Sequence, residues 1–164
     1  MNLIALGAFL LLAVAPPSIA IDGAFVKAGT LDAAGIAALP HVSLFVDEEH
    51  GDAHVSYSGV RLAALLESAG APVGSKVKGA PARSYVVVRA ADGYAAVFSL
   101  AELDSTDASC APVLADRRNG LVIGAEIGPF RMLVPCDHTQ ARWVREVTGF
   151  SIVTVPDSKA TGPA

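Results

Sequence analysis

The sequence predicts an α+β domain with a mixed β-sheet and a few short helices. Most of the strand-like segments are joined by hairpins, and two of them carry strong turn signals, Asp92-Gly93 and Asn119-Gly120. Only one segment, Arg61 to Ala69, has a clear helical repeat of apolar residues. Strands joined mainly by hairpins, with two or three short helices between them, favour an α+β arrangement over a doubly wound one.

The N-terminus has the layout of a signal peptide. An apolar stretch from Leu3 to Val14 is followed by Pro16-Pro17 and the small residues Ser18 and Ala20, and the first charged residue is Asp22. The apolar run is shorter than the roughly 20 residues that a membrane-spanning helix needs. We therefore expect cleavage after Ala20, a periplasmic or secreted protein, and no membrane span after cleavage.

Cleavage there divides the chain into a signal peptide at 1–20, one domain at 21–156 and a disordered tail at 157–164. A domain of roughly 140 residues can bury a sizeable core. The chain carries 12 basic and 16 acidic residues, a net charge of −4. This balance disfavours nucleic acid as a partner.

The charges are unevenly distributed. Residues 22–67 hold seven acidic residues and two basic ones, whereas residues 117–145 hold five arginines and two acidic residues. Arginine is suited to bidentate recognition of anions, so this pattern suggests a small anionic ligand near the C-terminal third. Scattered, solvated arginines are the alternative interpretation.

The first half of the chain begins with a short helix, for which Thr30 is the expected N-cap and Pro40 the stop. Strands follow at 41–47 and 55–57, with a polar turn at 48–53 between them. Leu62, Leu65, Leu66 and Ala69 then form one apolar stripe, which predicts a helix over 61–69 that Gly70 ends.

The second half is predicted to be mostly strand. A loop at 71–82 leads to a β-branched strand at 84–90, a hairpin into 94–98, and a helical turn at 100–103. The remaining strands are expected at 112–116, 121–123, 130–134 and 147–155. Arg142 and Arg145 are three residues apart, and on a strand they would point to opposite faces. Because both are expected to face one ligand, the segment from Gln140 to Arg145 is expected not to be a strand.

Four stretches together resemble the oxidoreductase molybdopterin-binding domain of the sulfite oxidase family. They are YSGVRLAALLESAG at 57–70, ADGYAAVFSLAEL at 91–103, VLADRRNG at 113–120, and GPFRMLVP at 128–135 followed by ARWVR at 141–145. Their order and spacing cover about residues 25 to 155. The resemblance implies the sulfite-oxidase-like fold.

The resemblance also implies a function. Members of the family bind the molybdenum cofactor, molybdopterin, and carry out oxygen-atom transfer or related redox chemistry, often in the bacterial periplasm and with a redox partner protein. Arg142 and Arg145 match cofactor-facing positions of the family, and Arg131 lies in the same motif. These three arginines are the expected binding residues for the pterin or another small anion.

The chain departs from the family at two points. Catalytic members ligate molybdenum with a cysteine from the N-terminal part of the domain, and no residue before Leu103 is a cysteine. Where the family often has His-Gly before the Pro-Leu-Arg stretch, this chain has Ile127-Gly128. Two hypotheses remain open: a molybdopterin-dependent oxidoreductase, and a non-catalytic binding or interaction module of the same fold.

The only cysteines are Cys110 and Cys136. Two thiols in an oxidising compartment usually form one disulfide. The alternative is that Cys136 replaces the missing metal ligand or is a reactive thiol.

Histidines and tryptophan offer weaker candidates. His50 and His54 lie among acidic residues in the predicted turn, where a metal site is one interpretation and a solvated turn the other. His41 opens a strand and is expected at the surface. Trp143 lies between Arg142 and Arg145, where it either packs on the core or flanks a planar ligand.

Overall fold

The computed structural model describes residues 16–48, 54–103 and 108–157, and within them the chain forms two five-stranded sheets. The strands are β1 (Ser18–Gly23), β2 (Gly29–Asp32), β3 (His41–Val46), β4 (Val55–Arg61), β5 (Ser84–Ala90), β6 (Ala95–Ser99), β7 (Val113–Arg118), β8 (Leu121–Val122), β9 (Arg131–Leu133) and β10 (Val147–Thr154). The helices are α1 (Ala33–Ala37) and α2 (Leu62–Ser68), and four short 3₁₀ turns cover Gly74–Lys76, Pro81–Arg83, Leu100–Leu103 and Gln140–Arg142.

The first sheet is mixed, with the order β2-β1-β10-β5-β6. Its single parallel pair joins β1 to β10, where Ala20 lies opposite Gly149, and its other pairs are antiparallel. Along β5, buried and half-buried residues alternate, as expected for a central strand that buries one face more fully than the other. The predicted mixed sheet is therefore confirmed.

The second sheet is antiparallel, with the order β3-β4-β7-β8, and β9 also pairs with β7. The pairing of β4 with β7 is irregular between Ser58 and Gly59. A Cβ atom at Gly59 would lie 2.1 Å from the carbonyl oxygen of Leu114, so only glycine fits this close approach.

The helices follow the sequence pattern with one correction. In α2 the side chains of Leu62, Leu65 and Leu66 are fully buried, as the apolar stripe predicted. The cap of α1 is Asp32, whose carboxylate accepts a hydrogen bond from the N–H of Gly35 at 2.8 Å. Thr30, predicted as the cap, instead pairs with Ala20 within β2.

The hairpins and most strands lie where the sequence predicted them. β5 spans the predicted residues 84–90, and Asn119 and Gly120 both adopt the positive φ of a tight hairpin turn, at 52° and 79°. β4 is longer than predicted, because its pairing with β7 keeps the chain extended as far as Arg61.

β1 and β2 were not predicted: the first residues of β1 were interpreted as part of a signal peptide, and Thr30, within β2, as the cap of a helix. Most of the predicted signal peptide, residues 1–15, lies outside the described residues, but Ser18, Ile19 and Ala20 belong to β1, and Ile19 is fully buried. A chain that begins at Ile21 would lack these three residues of the strand. The cleavage site itself remains a prediction.

Within the described ranges, the structure contains no helix with the length and apolar character needed to cross a bilayer. The predicted disordered tail lies almost entirely outside the described residues, which end at Asp157.

Candidate functional site

The C-terminal end of β3 faces the loop that follows β9, and an open cleft of about 460 Å³ lies between them. We call it the Trp143 cleft. Its lining residues are Phe45, Val46, Asp47, Pro135, Asp137, His138, Thr139, Gln140 and Trp143. The side-chain amide of Gln140 donates a hydrogen bond to the carbonyl oxygen of Asp47 at 2.8 Å, which joins the two sides of the cleft.

A cluster of charged side chains around Glu48 fixes the end of β3 beside this cleft. The Glu48 carboxylate is 12% exposed and forms ion pairs with Arg118, at 2.8 Å, and with Arg131. It also accepts a hydrogen bond from the hydroxyl of Tyr57 at 2.7 Å. In this Glu48 cluster Glu48 follows the end of β3, and Tyr57, Arg118 and Arg131 lie on β4, β7 and β9, so the cluster connects the segment after β3 with three strands of the second sheet.

The cluster stabilises the ionised form of Glu48. Burial alone would raise the pKa of this carboxyl, but the hydrogen bonds from Tyr57, Arg118 and Arg131 outweigh it and lower the pKa from 4.5 to about 2. Burial and the hydrogen bond to Glu48 raise the pKa of Tyr57. Glu48 therefore remains an anion, and Tyr57 a neutral donor, at physiological pH.

Arg131 lies between two aromatic rings. Its guanidinium carbon is 5.6 Å from the centre of the Tyr57 ring and 5.5 Å from the centre of the Trp143 ring, both within the range of cation–π attraction. The indole N–H of Trp143 donates to the carbonyl oxygen of Val134 at 3.0 Å. The orientation of Trp143, which is 9% exposed, is thus fixed by contacts on its edge and its face.

Arg142 also has carboxylate partners. Its guanidinium forms a bidentate pair with Asp137, at 2.8 and 2.7 Å, and donates to Glu102 at 2.7 Å. The guanidinium carbon lies 4.7 Å from the centre of the Phe98 ring. The hydrogen bond to Asp137 is the main reason that the pKa of Arg142 is raised.

The three arginines predicted to bind an anion therefore lie in different environments. Arg131 is 4% exposed and its charge is matched by Glu48, while Arg142 is matched by Asp137 and Glu102. Arg145 is exposed and forms no ion pair within the described part of the chain. The segment that carries Arg142 and Arg145 is a 3₁₀ turn followed by coil, so the prediction that it is not a strand is confirmed.

The two cysteines form the predicted disulfide. The Sγ atoms of Cys110 and Cys136 are 1.99 Å apart, and their Cα atoms are separated by 5.0 Å. The bridge joins the loop before β7 to the loop that forms one side of the Trp143 cleft. Cys136 is therefore not available as a thiolate in this state.

The histidines do not form a metal site among the described residues. His54 is exposed, with its Nδ1 3.4 Å from Asp47, and His50 lies outside the described residues. No group of three potential ligands occurs within residues 16–48, 54–103 and 108–157. His41, which we expected at the surface, is half-buried and bonded to Asp116 at 3.2 Å.

The donor atoms present do not fit a molybdenum ion ligated by a protein thiolate. Both sulfur atoms of the cysteines are in the disulfide, and the sequence contains no third cysteine. Two of the three arginines expected to face the pterin have carboxylate partners already.

Comparison with known proteins supports the fold. No family model and no curated protein matches this chain. Among solved structures it is similar to the crystal structure of the sulfane dehydrogenase SoxCD from Paracoccus pantotrophus, with a TM-score of 0.64 and 20% sequence identity over 85% of this chain and 39% of that chain. The chain thus spans well under half the length of the chain that it resembles. At this identity the similarity shows a shared fold, and the predicted sulfite-oxidase-like α+β fold is confirmed.

Sequence reasoning missed Glu48 and Tyr57. Glu48 was grouped with its acidic neighbours in a solvated turn, and no short motif connects it to arginines 70 and 83 positions further along the chain. The uneven distribution of charge was the available signal. An acid-rich N-terminal segment and an arginine-rich C-terminal segment can pair within the fold, as Glu48 does with Arg118 and Arg131.

Proposed function

We propose that this chain is a non-catalytic ligand-binding module that keeps the sulfite-oxidase-like fold and acts outside the cytoplasm. The observation that carries the proposal is the disulfide between the only two cysteines, which leaves no thiolate to ligate molybdenum. A stable disulfide also favours an oxidising compartment, in agreement with the signal-peptide layout of the N-terminus.

The Trp143 cleft suits a small neutral heterocycle better than an anion. Apolar surface comes from Phe45, Val46 and Pro135, while Thr139 and Gln140 offer hydrogen-bonding groups. The lining contains two aspartates and neither lysine nor arginine, so it offers an anion no lysine or arginine as a partner. A volume of about 460 Å³ lies within the usual range of roughly 300–1,000 Å³ for small-molecule sites.

A second candidate is a molybdopterin-binding domain that works in a redox context with a partner protein. The likeness of fold to the sulfane dehydrogenase favours this function. It requires that molybdenum be held without a cysteine of this chain, and that Arg145 or a partner protein supply the anion contacts that Arg131 and Arg142 do not.

The first proposal is tested by equilibrium dialysis of the oxidised protein against 6-hydroxymethylpterin. The fluorescence of the pterin measures how much is bound. The expected result is saturable binding, with pyrophosphate failing to compete. Quenching of Trp143, the single tryptophan, should follow the same binding curve because its ring lines the cleft.

Thr139→Phe should abolish this binding, because residue 139 is exposed and a phenyl ring there would occupy the cleft. Thr148→Phe, at an exposed position of β10 outside the cleft, is the matched control and should bind as the wild type does. Absence of saturable binding, or binding that Thr139→Phe leaves unchanged, would contradict the proposal.

A further inference from the structure

Arg61 occupies a fixed position at the junction of β4 and α2. As the last residue of β4 it lies opposite Val113 of β7. The backbone N–H of the next residue, Leu62, donates a hydrogen bond to the carbonyl oxygen of Pro112 at 2.9 Å. The side chain therefore begins from backbone that is held by β7 and the residue before it.

The guanidinium of Arg61 has a buried donor without an acceptor. Its Nε atom is shielded from solvent and has no hydrogen-bond partner among the described residues. Unlike Arg118, Arg131 and Arg142, Arg61 forms no ion pair within the described part of the chain. The Nε atoms of Arg118 and Arg131 are likewise buried without an acceptor, but the guanidinium groups of both residues are paired with Glu48. What distinguishes Arg61 is that its buried donor belongs to a cation with no carboxylate partner among the described residues.

Arg61 borders a second cleft, which we call the Arg61 cleft and which has a volume of about 480 Å³. Its described lining consists of Val42, Ser43, Leu44, Phe45, Arg61, Ala108, Ser109, Ala111, Val113 and Pro135. This lining contains one cation and no acidic residue. A smaller adjoining cavity includes Glu67, but that carboxylate is bonded to Lys76 at 3.1 Å.

We infer that the Arg61 cleft binds a small aliphatic monocarboxylate, with Arg61 as the residue that binds its carboxylate. A planar guanidinium matches a carboxylate in a bidentate geometry, and the acceptor would satisfy the buried donor. The walls beside it, from Val42, Leu44, Ala111 and Val113, are apolar and suit a short hydrocarbon chain. A single negative charge balances the single cation of the described lining.

This site goes beyond the proposed function. The two clefts share Phe45 and Pro135, but Arg61 lines only the second, and Thr139, Gln140 and Trp143 line only the first. Loss of pterin binding and loss of carboxylate binding can therefore be separated by variants that affect one cleft each.

The inference is tested by titrating the full chain with hexanoate and with hexan-1-ol. The readout is a two-dimensional ¹⁵N NMR spectrum of the arginine Nε–Hε groups. Hexanoate should shift the Arg61 resonance and bind at least about tenfold more tightly than the alcohol, as a charged hydrogen bond predicts. In the alkanoate series from acetate to hexanoate, each methylene group should tighten binding about fourfold while the cleft still has room.

Arg61→Gln should reduce the preference for hexanoate over hexan-1-ol to within about twofold, since the charge-assisted contact is gone. Arg117→Gln, which removes an exposed arginine of β7 outside both clefts, is the matched control and should keep the preference. Ser43→Trp, at an exposed position in the lining, should weaken both ligands while pterin binding persists. An Arg61 resonance that tens of millimolar hexanoate does not move, or equal hexanoate affinity in Arg61→Gln, would overturn the inference.

Discussion

At the scale of single residues, the arrangement around the Trp143 cleft depends on Glu48. One carboxylate faces two arginines and the Tyr57 hydroxyl, and one of those arginines, Arg131, also contacts Trp143. A buried ion pair adds little compared with an apolar replacement, but removing one partner leaves an uncompensated charge and is strongly destabilising. A substitution that keeps the shape of Glu48 and removes its charge should therefore lower the free energy of unfolding.

Glu48→Gln should lower the free energy of unfolding by about 3 kcal/mol, because Arg118 and Arg131 would lose their shared counter-charge. Urea unfolding at neutral pH measures this change. Asp47→Asn is the matched control. The Asp47 side chain is 67% exposed, so this substitution should lower the free energy of unfolding by less than about 0.5 kcal/mol. A loss below about 1 kcal/mol for Glu48→Gln would show that the cluster contributes little.

The depressed pKa of Glu48 also predicts acid sensitivity. The folded pKa is about 2 and the ordinary value is 4.5, so the stabilisation is fully present above about pH 4.5 and is lost as the pH falls through 2. The shift corresponds to at most about 3 kcal/mol, which solvent screening reduces to about 2 kcal/mol. Stability measured from pH 6 to 2 should fall more steeply for the wild type than for Glu48→Gln. Parallel curves would contradict the assignment.

Arg142 and Arg145 differ in their surroundings and should differ in their effects on stability. Arg142→Ala should lower the free energy of unfolding by about 1–2 kcal/mol, because Asp137 and Glu102 lose their shared partner and the side chain is partly exposed. Arg145→Ala should change it by less than about 0.5 kcal/mol. Loss of ligand binding in Arg142→Ala with unchanged stability would instead support the anion site expected from the sequence.

At the scale of secondary-structure elements, β1 is the feature that the sequence conceals. Its first residues follow an apolar segment and two prolines, a context that favours a processing site over a strand. The strand forms because Ile19 and Ile21 enter the core and because β1 pairs with β2 on one side and with β10 on the other. β10 lies more than a hundred positions further along the chain, so this pairing leaves no local signal.

A protein that begins at Pro16 should therefore be more stable than one that begins at Ile21. Loss of the buried Ile19 side chain and of the strand pairing at residues 18–20 should cost about 3 kcal/mol or more. Thermal unfolding of the two purified forms measures the difference. Equal stability would show that the first half of β1 is dispensable and would agree with cleavage after Ala20.

At the scale of the whole molecule, features visible in the sequence predicted the hairpins, the buried apolar face of α2, the disulfide and the fold class. These depend on turn residues, helical periodicity and cysteine count, which the sequence shows directly. The Glu48 cluster and the surroundings of Arg61 could not be predicted, because they depend on which strands become neighbours. The arginines of the cofactor-like motif were correctly located in the chain, but their carboxylate partners come from elsewhere in the sequence.

The central claim is that this chain is a non-catalytic module that works without bound molybdenum. The most direct test is the molybdenum and pterin content of the full chain, purified with its disulfide intact from an expression host that makes the cofactor. Elemental analysis should find far less than one molybdenum atom per protein, and maleimide titration of the denatured, unreduced protein should find no free thiol. Near-stoichiometric molybdenum with pterin would contradict the claim and favour the second candidate function.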